Sequence, residues 1–417
     1  MDRISAHFEP NSPSRLGVAV SGGGDSVALL HLLADFCACH DVLLDAVTVD
    51  HGLRQGSHEE AQQVAKLAGS LSVPHEILTW SDWDGSGNLQ EQARRARYQM
   101  MTDWARSKGI ALMALGHTAD DQAETVLMRL ARSGGVDGLA AMQTRRLENG
   151  VTLVRPMLDI SRSELRDYLR QNDLNWSEDP SNLDTRYDRI KIRQAMDLLA
   201  PLGITTDVLT RVASQMGQAR EALDWYTFLA AREIVMVDGA DVVIGLRRFR
   251  TLPQEIARRL MVRSVMWVSG SQYQPRRSAI SELINAARAG QACTLGGCIV
   301  TSHLDELWVS REYNAVSGIS CALDEPWDNH WQLQPPIVRP VPDENAQAFV
   351  VRALGPDGLD MCPDWKTTGK PRAALLASPA VWKGDDLVSA PTAGHAAGWS
   401  ATLLSSSEEF FAAFLSH

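Results

Sequence analysis

Between two apolar runs near the start of the chain lies Ser21-Gly22-Gly23-Gly24-Asp25-Ser26, three glycines followed by an acid and a hydroxyl. Leu16–Val20 before it has the length and character of a buried strand, and Val27 to Phe36 after it has an apolar helical pattern. A strand that passes into a helix through glycines restricts the fold severely. The glycines permit a tight turn that points successive amides into one concavity. The helix N-terminus adds free amides and a positive dipole end, so the junction is built for an anion. The ordinary nucleotide P-loop ends in Gly-Lys-Ser/Thr, which this segment lacks.

The same alternation continues for about two hundred residues. Strand-like runs at Val42–Val49, His75–Trp80, Ile110–Gly116 and Leu153–Leu158 are separated by helical patterns at Ser57–Leu71, Asn88–Lys108 and Asp120–Ala131. Ser161 with Glu164 reads as a capping box opening a helix to about Gln171. Strands separated by helices imply crossovers, hence a doubly wound parallel sheet covered on both faces, an α/β fold. From Pro201 the texture changes. Helical patterns at Thr206–Val235, Leu252–Val268 and Ile280–Arg288 lead to a strand pair, Cys293–Ser302 and Leu307–Arg311, and then to a proline-rich stretch from Pro326 to Pro342. The expected domains are 1–200, 201–325 (mostly helical) and 326–417 (small and strand-rich), as a chain of 417 residues is too long for one core.

Composition excludes several classes. No apolar run approaches the roughly 20 residues of a membrane helix. Met1 to Arg15 lacks the apolar core and cleavage site of a signal peptide, so the cytoplasm is expected. None of the six cysteines falls in a Cys-x-x-Cys pair, which speaks against structural zinc, an iron–sulfur cluster or a disulfide framework. A net charge of −11 argues against a protein that simply coats nucleic acid, yet Ser86 to Arg193 holds 17 Lys and Arg against 15 Asp and Glu. A comparatively basic stretch in an acidic chain suits a polyanion docking at one face.

The glycine segment matches the Ser-Gly-Gly-x-Asp-Ser pyrophosphate loop of the N-type ATP pyrophosphatases. The resemblance implies that Ser21, Gly22, Gly23, Gly24, Asp25 and Ser26 hold the β- and γ-phosphates of ATP while a nucleophile attacks the α-phosphorus. A carboxylate beside a triphosphate needs a cation between them, so Mg²⁺ is expected at Asp25. Three further segments add candidates. Val49-Asp50-His51-Gly52-Leu53-Arg54 ends the second strand, where an open parallel sheet borders its ligand crevice, and by resemblance Asp50 and His51 line the adenosine pocket. In Asn88 to Tyr98, Arg94 and Arg97 share a helix face and are candidates for phosphate or adenylate. Gly116-His117-Thr118-Ala119-Asp120-Asp121-Gln122-Ala123-Glu124-Thr125 opens a helix at another strand end, with His117 assigned to ATP and Asp120 to capping. Asp121 and Glu124 lie one turn apart, a carboxylate pair suited to an ammonium group or to taking a proton from an incoming amine.

Taken in order with Arg155-Pro156-Met157-Leu158, Glu178-Asp179-Pro180-Ser181-Asn182 and Tyr187 to Arg193, these segments resemble the tRNA(Ile)-lysidine synthetase family over the whole chain, most specifically in the catalytic half. The resemblance implies adenylation of the wobble cytidine of an isoleucine tRNA with a CAU anticodon, then displacement of AMP by free L-lysine. It casts Asp25, Arg97, Asp121 and Glu124 as catalytic, with Asp121 and Glu124 also binding lysine. Arg145, Arg146, Arg186, Arg189, Lys191 and Arg193 are candidate tRNA contacts, joined by Lys366, Lys370, Arg372 and Lys383 in the last module. A homodimer is expected. The chain departs from the family at Arg132-Ser133-Gly134-Gly135, usually Arg-Gly-Ser-Gly, and at Arg189-Ile190, usually Arg-Asn. Two alternatives stay open. A tRNA thiolase shares the loop but generally needs paired or catalytic cysteines, and an adenine-nucleotide-binding protein without turnover has no use for the carboxylate pair.

Overall fold

The computed structural model describes residues 2–52, 56–80, 89–177, 188–336 and 349–415. The chain divides into two compact units, the first running to Glu221 and the second from Ala222.

After a short helix α1 (Asp2–Ser5), the first unit alternates β1 (Arg15–Ala19), α2 (Gly24–His40), β2 (Leu43–Asp50), α3 (Ser57–Ser70), β3 (His75–Thr79), α4 (Leu89–Ser107), β4 (Leu112–Leu115), α5 (Ala119–Ala131) and α6 (Val136–Leu139). A hairpin of β5 (Arg145–Glu148) and β6 (Val151–Val154) follows, then α7 (Arg162–Gln171) and α8 (Asp188–Leu199). The sheet order is β3-β2-β1-β4-β6-β5, all neighbours parallel except the last pair. Strand order reverses between β1 and β4, and ligands of such sheets bind beyond the strand ends at that reversal. The glycine loop leaves β1 there, and the His117 segment leaves β4. The two ends touch: a Cβ on Gly116 would stand 3.1 Å from Ser26 Cα and 3.2 Å from Ser26 N, so only glycine lets β4 end against the start of α2. One core on one side of the sheet gathers Leu29, Leu33 and Phe36 of α2 with Leu165 and Leu169 of α7, and another sets Tyr98, Met101 and Trp104 of α4 against Met113 and Leu153. Both faces of the sheet are thereby covered, as parallel pairing demands.

Two local features depart from the sequence reading. The last strand was expected at Leu153–Leu158; β6 ends at Val154 and is half of a hairpin, because Asn149 (φ 48°) and Gly150 (φ 81°) form a tight left-handed turn between β5 and β6. The capping carboxylate of α5 is Asp121 rather than Asp120. Thr118 caps the helix, its amide donates to Asp121 Oδ2 at 2.9 Å, and the Asp121 amide returns to Thr118 Oγ1 at 3.5 Å.

Helix α9 (Thr206–Ile234) contains the boundary between the units. The second unit runs through β7 (Val235–Asp238), β8 (Asp241–Gly245), α10 (Leu246–Thr251), α11 (Gln254–Ser269), α12 (Arg277–Ala289), β9 (Cys293–Leu295), β10 (Cys298–His303) and β11 (Glu306–Arg311), and its five-stranded antiparallel sheet, β7-β8-β11-β10-β9, packs on α11 and α12. The expected strand pair is the β10 (Cys298–His303) and β11 (Glu306–Arg311) hairpin, and the unforeseen β7 (Val235–Asp238) and β8 (Asp241–Gly245) pair across another glycine turn. The C-terminal residues form a four-stranded and a two-stranded sheet, so the region is strand-rich as its composition suggested. Among the described residues no helix is long and apolar enough to cross a membrane.

The departure at Arg132-Ser133-Gly134-Gly135 has a backbone cost. Ser133 follows the C-cap of α5 at φ 57°, and a Cβ on Gly134 would lie 2.8 Å from the Arg129 carbonyl oxygen. Glycine is therefore required at 134 and merely absent at 133. Ser133→Gly should stabilise the first unit by about 1 kcal/mol, raising its thermal midpoint by roughly 2 °C. Gly134→Ala should lower it. Differential scanning calorimetry of both variants checks the pair.

Candidate active site

Hydrogen bonds within the glycine loop set its shape. Ser26 Oγ accepts the Ser21 amide at 3.1 Å and donates to the Gly23 carbonyl at 2.9 Å, tying the loop to the first turn of α2. Gly22 adopts φ 87°, a conformation disfavoured for residues with a Cβ, and its carbonyl accepts the Ser177 amide at 3.0 Å. Gly24 is the N1 residue of α2, where a Cβ would press on Trp176 at 3.3 Å. The loop opens into a cavity of about 1280 Å³, lined among others by Ser21, Asp25, His51, Arg97, His117 and Asp121. That space exceeds the few hundred Å³ of an ordinary small-ligand pocket and leaves room for a nucleotide and a second reactant.

One wall of the cavity is acidic and centred on a single guanidinium. Arg162, the first residue of α7, donates from Nε to Asp25 Oδ2 at 3.2 Å, from Nη1 to Glu124 Oε1 at 2.8 Å, and from Nη2 to Asp121 Oδ1. Its backbone amide donates to Asp120 Oδ2 at 2.7 Å. Glu124, only 1% exposed, also receives Arg193 Nε at 2.7 Å and lies 3.6 Å from Arg189 Nε. Burial holds the Asp25 carboxyl above its ordinary range, opposed by Arg162. Burial pushes Asp121 the same way, but Arg162, the Thr118 amide and Arg189 outweigh it and keep that carboxyl below its usual range.

A second group, Arg97 and Tyr98 on the cavity lining with Arg155 beside them, is cationic and poorly matched. Arg97 is half-buried with a buried, unpartnered Nε, and burial lowers its proton affinity. Buried Arg155 likewise has an unpartnered Nε, and Tyr98, whose hydroxyl lacks a partner, is held below the usual phenol range by Arg94, Arg97 and Arg155 against its burial. Unpartnered buried donors beside a large cavity are costly unless an anion meets them, and phosphate oxygens suit that need. His117 is driven down to about 3 by burial first and then by Arg155 and Arg97, so its ring stays neutral.

Not every sequence candidate reaches this cavity. Asp50 is turned away: its Oδ1 accepts the Gly52 amide at 2.9 Å and the Ser57 hydroxyl at 2.7 Å, holding the approach to α3. Its neighbour His51 does line the space. Arg94 is exposed, with its guanidinium 5.2 Å from the Tyr98 ring centroid. Arg189 and Arg193 face the cavity, whereas Arg145 bonds the His7 carbonyl, Arg146 pairs with Glu148, and Lys191 lies 3.6 Å from Asp188. Arg186 falls outside the described residues. In the second unit Lys370 pairs with Asp238 at 2.7 Å, and Lys366 lies 5.9 Å from the Trp365 ring. Arg372 is exposed at the start of a short helix, and Lys383 ends a strand. Arg162 and Trp176 were not among the sequence candidates, and Arg155 was quoted only within a family segment, without a role. For Arg162 a signal existed: a base in the first turn of a helix opposes the dipole and implies acidic partners elsewhere.

A PP-loop domain family model matches residues 1–198, which places the first unit among the ATP-using PP-loop enzymes. Over the full chain the similarity is narrower. It is 53% identical to the tRNA(Ile)-lysidine synthase of Ruegeria pomeroyi, across 100% of this chain and 98% of that one. The enzymes of that name from Wolbachia pipientis (37% identity, 76% of each chain) and Anaplasma marginale (30%, 93% of this chain and 87% of that one) are more distant relatives. The chain belongs to the tRNA(Ile)-lysidine synthase family.

The neutral histidine is directly checkable. The imidazole resonances of His117 should stay flat as pH falls from 8 to 5, while an exposed histidine moves through its ordinary midpoint. Because the folded ring refuses a proton that the unfolded ring accepts, its contribution to stability is full above about pH 6.5 and declines as pH falls toward 3, by at most ~1.4 kcal/mol per pH unit.

Proposed function

We propose that this chain joins L-lysine to the wobble cytidine of an isoleucine tRNA bearing a CAU anticodon, with ATP cleaved to AMP and pyrophosphate. The observation that carries the reading is one cavity that brings together a cationic group with unpartnered donors and a cluster of largely buried carboxylates. Adenylation requires the first and capture of an amine the second.

Loop amides and the N-terminus of α2 hold the pyrophosphate end of ATP. Arg97, with Arg155 behind it, neutralises charge that accumulates at the α-phosphate when the cytidine carbonyl oxygen attacks. The loss of pyrophosphate leaves an adenylated cytidine. Asp121 and Glu124 receive the lysine ammonium, and a carboxylate takes its proton so that the neutral amine displaces AMP. Asp25 is the residue fitted to Mg²⁺. Among the described residues no three ligating side chains form a metal cage, and this ion commonly binds through one or two carboxylates with substrate phosphates and water. Bound there, it would screen the triphosphate and polarise its oxygens. The tRNA reaches the cavity over the rim formed by Arg189 and Arg193, with the 201–325 and 326–417 regions as further contact surfaces and the cytoplasm as the setting.

The thiolase alternative fits less well. All six cysteines are free, and none lines this cavity. Burial drives the Cys37 and Cys298 thiols up to about 12, far from a nucleophilic thiolate.

The deciding experiment is incorporation of radiolabelled lysine into bulk bacterial tRNA with and without ATP. ATP-dependent label confined to a CAU-anticodon isoleucine tRNA is the expected result. Pyrophosphate release with tRNA but no label would keep the adenylating half and discard the lysine half. Asp121→Asn should cut lysine transfer by at least ~100-fold, as expected for a proton acceptor. Pyrophosphate release should persist in that variant, and a thermal melt will show whether the fold does.

A further inference from the structure

Asp121 and Glu124, the carboxylates proposed above to hold the lysine ammonium, already hold a cation in the free chain. Arg162 reaches both, and through Nε it also reaches Asp25 of the glycine loop, 3.2 Å away. Its side chain is 19% exposed, and the Asp120 carboxylate accepts its backbone amide at 2.7 Å. The residue is thus fixed at its backbone while its head group links the glycine loop to the carboxylates of α5. Among the described residues the charged groups facing that head from the packed elements are Asp25 of α2, Asp120, Asp121 and Glu124 of α5, and Arg189 and Arg193 of α8 beside Glu124. His117, at the end of β4, is neutral.

Arg162 and Arg193 already share Glu124 Oε1 and Arg189 stands beside Oε2, so an ammonium ion joining Asp121 and Glu124 would add a fourth positive charge to the pair. Like charges so close together in a buried site repel strongly. Each carboxylate also has few oxygens left. Asp121 gives Oδ2 to the Thr118 amide and Oδ1 to Arg162, and Glu124 Oε1 is shared by Arg162 and Arg193. Glu124 Oε2, 3.6 Å from Arg189 Nε, is the one oxygen of the pair that makes no hydrogen bond, so the free site is nearly filled.

We propose that Arg162 is the resident cation of the amine site, a positioning residue that neutralises Asp121 and Glu124 in the free enzyme. It yields them to the substrate ammonium and stays tethered through Asp25 and Asp120. Lysine then binds by exchanging one cation for another. Because the same guanidinium touches Asp25, occupancy of the amine site is felt at the glycine loop. This inference rests on the amine site proposed above.

Radiolabelled L-lysine binding to the full chain, with a non-hydrolysable ATP analogue present, separates the possibilities when wild type, R162K and R162Q are compared. Removing the competitor should tighten lysine binding about tenfold in R162Q. The lysine-induced rise in its thermal midpoint should be larger than in wild type, from a lower starting point. R162K, which keeps the charge but not the three-way fork, should fall between. Lysine affinity that is unchanged or weaker in both variants would overturn the proposal, because the guanidinium would then only shape the site. If R162Q does not fold, the R162K comparison decides in the same way. A wild-type chain that binds no lysine and labels no tRNA would instead remove the amine site itself, and this inference with it.

Discussion

Three carboxylates from two helices meet one guanidinium, and a fourth holds the backbone amide of the same residue, at the point where the parallel sheet reverses its strand order. Buried carboxylates without a counter-charge would be neutralised or would unfold the region. Arg162 is therefore a condition for the arrangement of the cavity as well as an occupant of it. The knot joins the first turn of α2, the first turn of α5 and the first residue of α7, three helix starts whose positive ends converge on one space. Acidic residues are natural companions of such ends. The arginine among them is the exception, and it is the one group reaching all three helices.

The cationic group follows a complementary rule. Arg97, Arg155 and Tyr98 have polar atoms withdrawn from water without partners, and a native structure retains such groups where a ligand satisfies them. The carboxylate oxygens are satisfied internally except Glu124 Oε2, whereas the cationic atoms await an anion. Nucleotide and amine thus meet different free-protein states, one incomplete and one largely closed. Their binding steps need not respond alike to salt or to substitution.

Much of this was legible in the chain. The alternation of strand and helix patterns gave the parallel sheet, and the glycines between Leu16–Val20 and Val27 located the anion site, because both signals are local. Asp121 and Glu124 were readable as a pair from their spacing alone. Asp50 was misleading, since a carboxylate at a strand end serves equally to hold the following turn, and the hydroxyl that claims it, Ser57, is seven residues on. The hairpin of β5 and β6 had its signal in Asn149-Gly150, overlooked because a parallel sheet does not call for one. For Arg162 the helix start hinted at acidic partners, but which ones was beyond local reading, as they lie 137, 41 and 38 residues away. Arg189 and Arg193 read as tRNA contacts, and the packing of α8 on α5 also turns them toward Glu124.

The short hairpin at the sheet edge has a bearing on how the chain behaves in a crowded mixture. A parallel sheet ending on β6 would present a run of apolar backbone, Val151–Val154, ready to accept a strand from another molecule. The chain covers it with β5, four residues of which Arg145, Arg146 and Glu148 are charged. So short and charged an outer strand is a poor template for further addition. The turn at Asn149-Gly150 accordingly protects the first unit against aggregation through this edge, at a place remote from any reacting group.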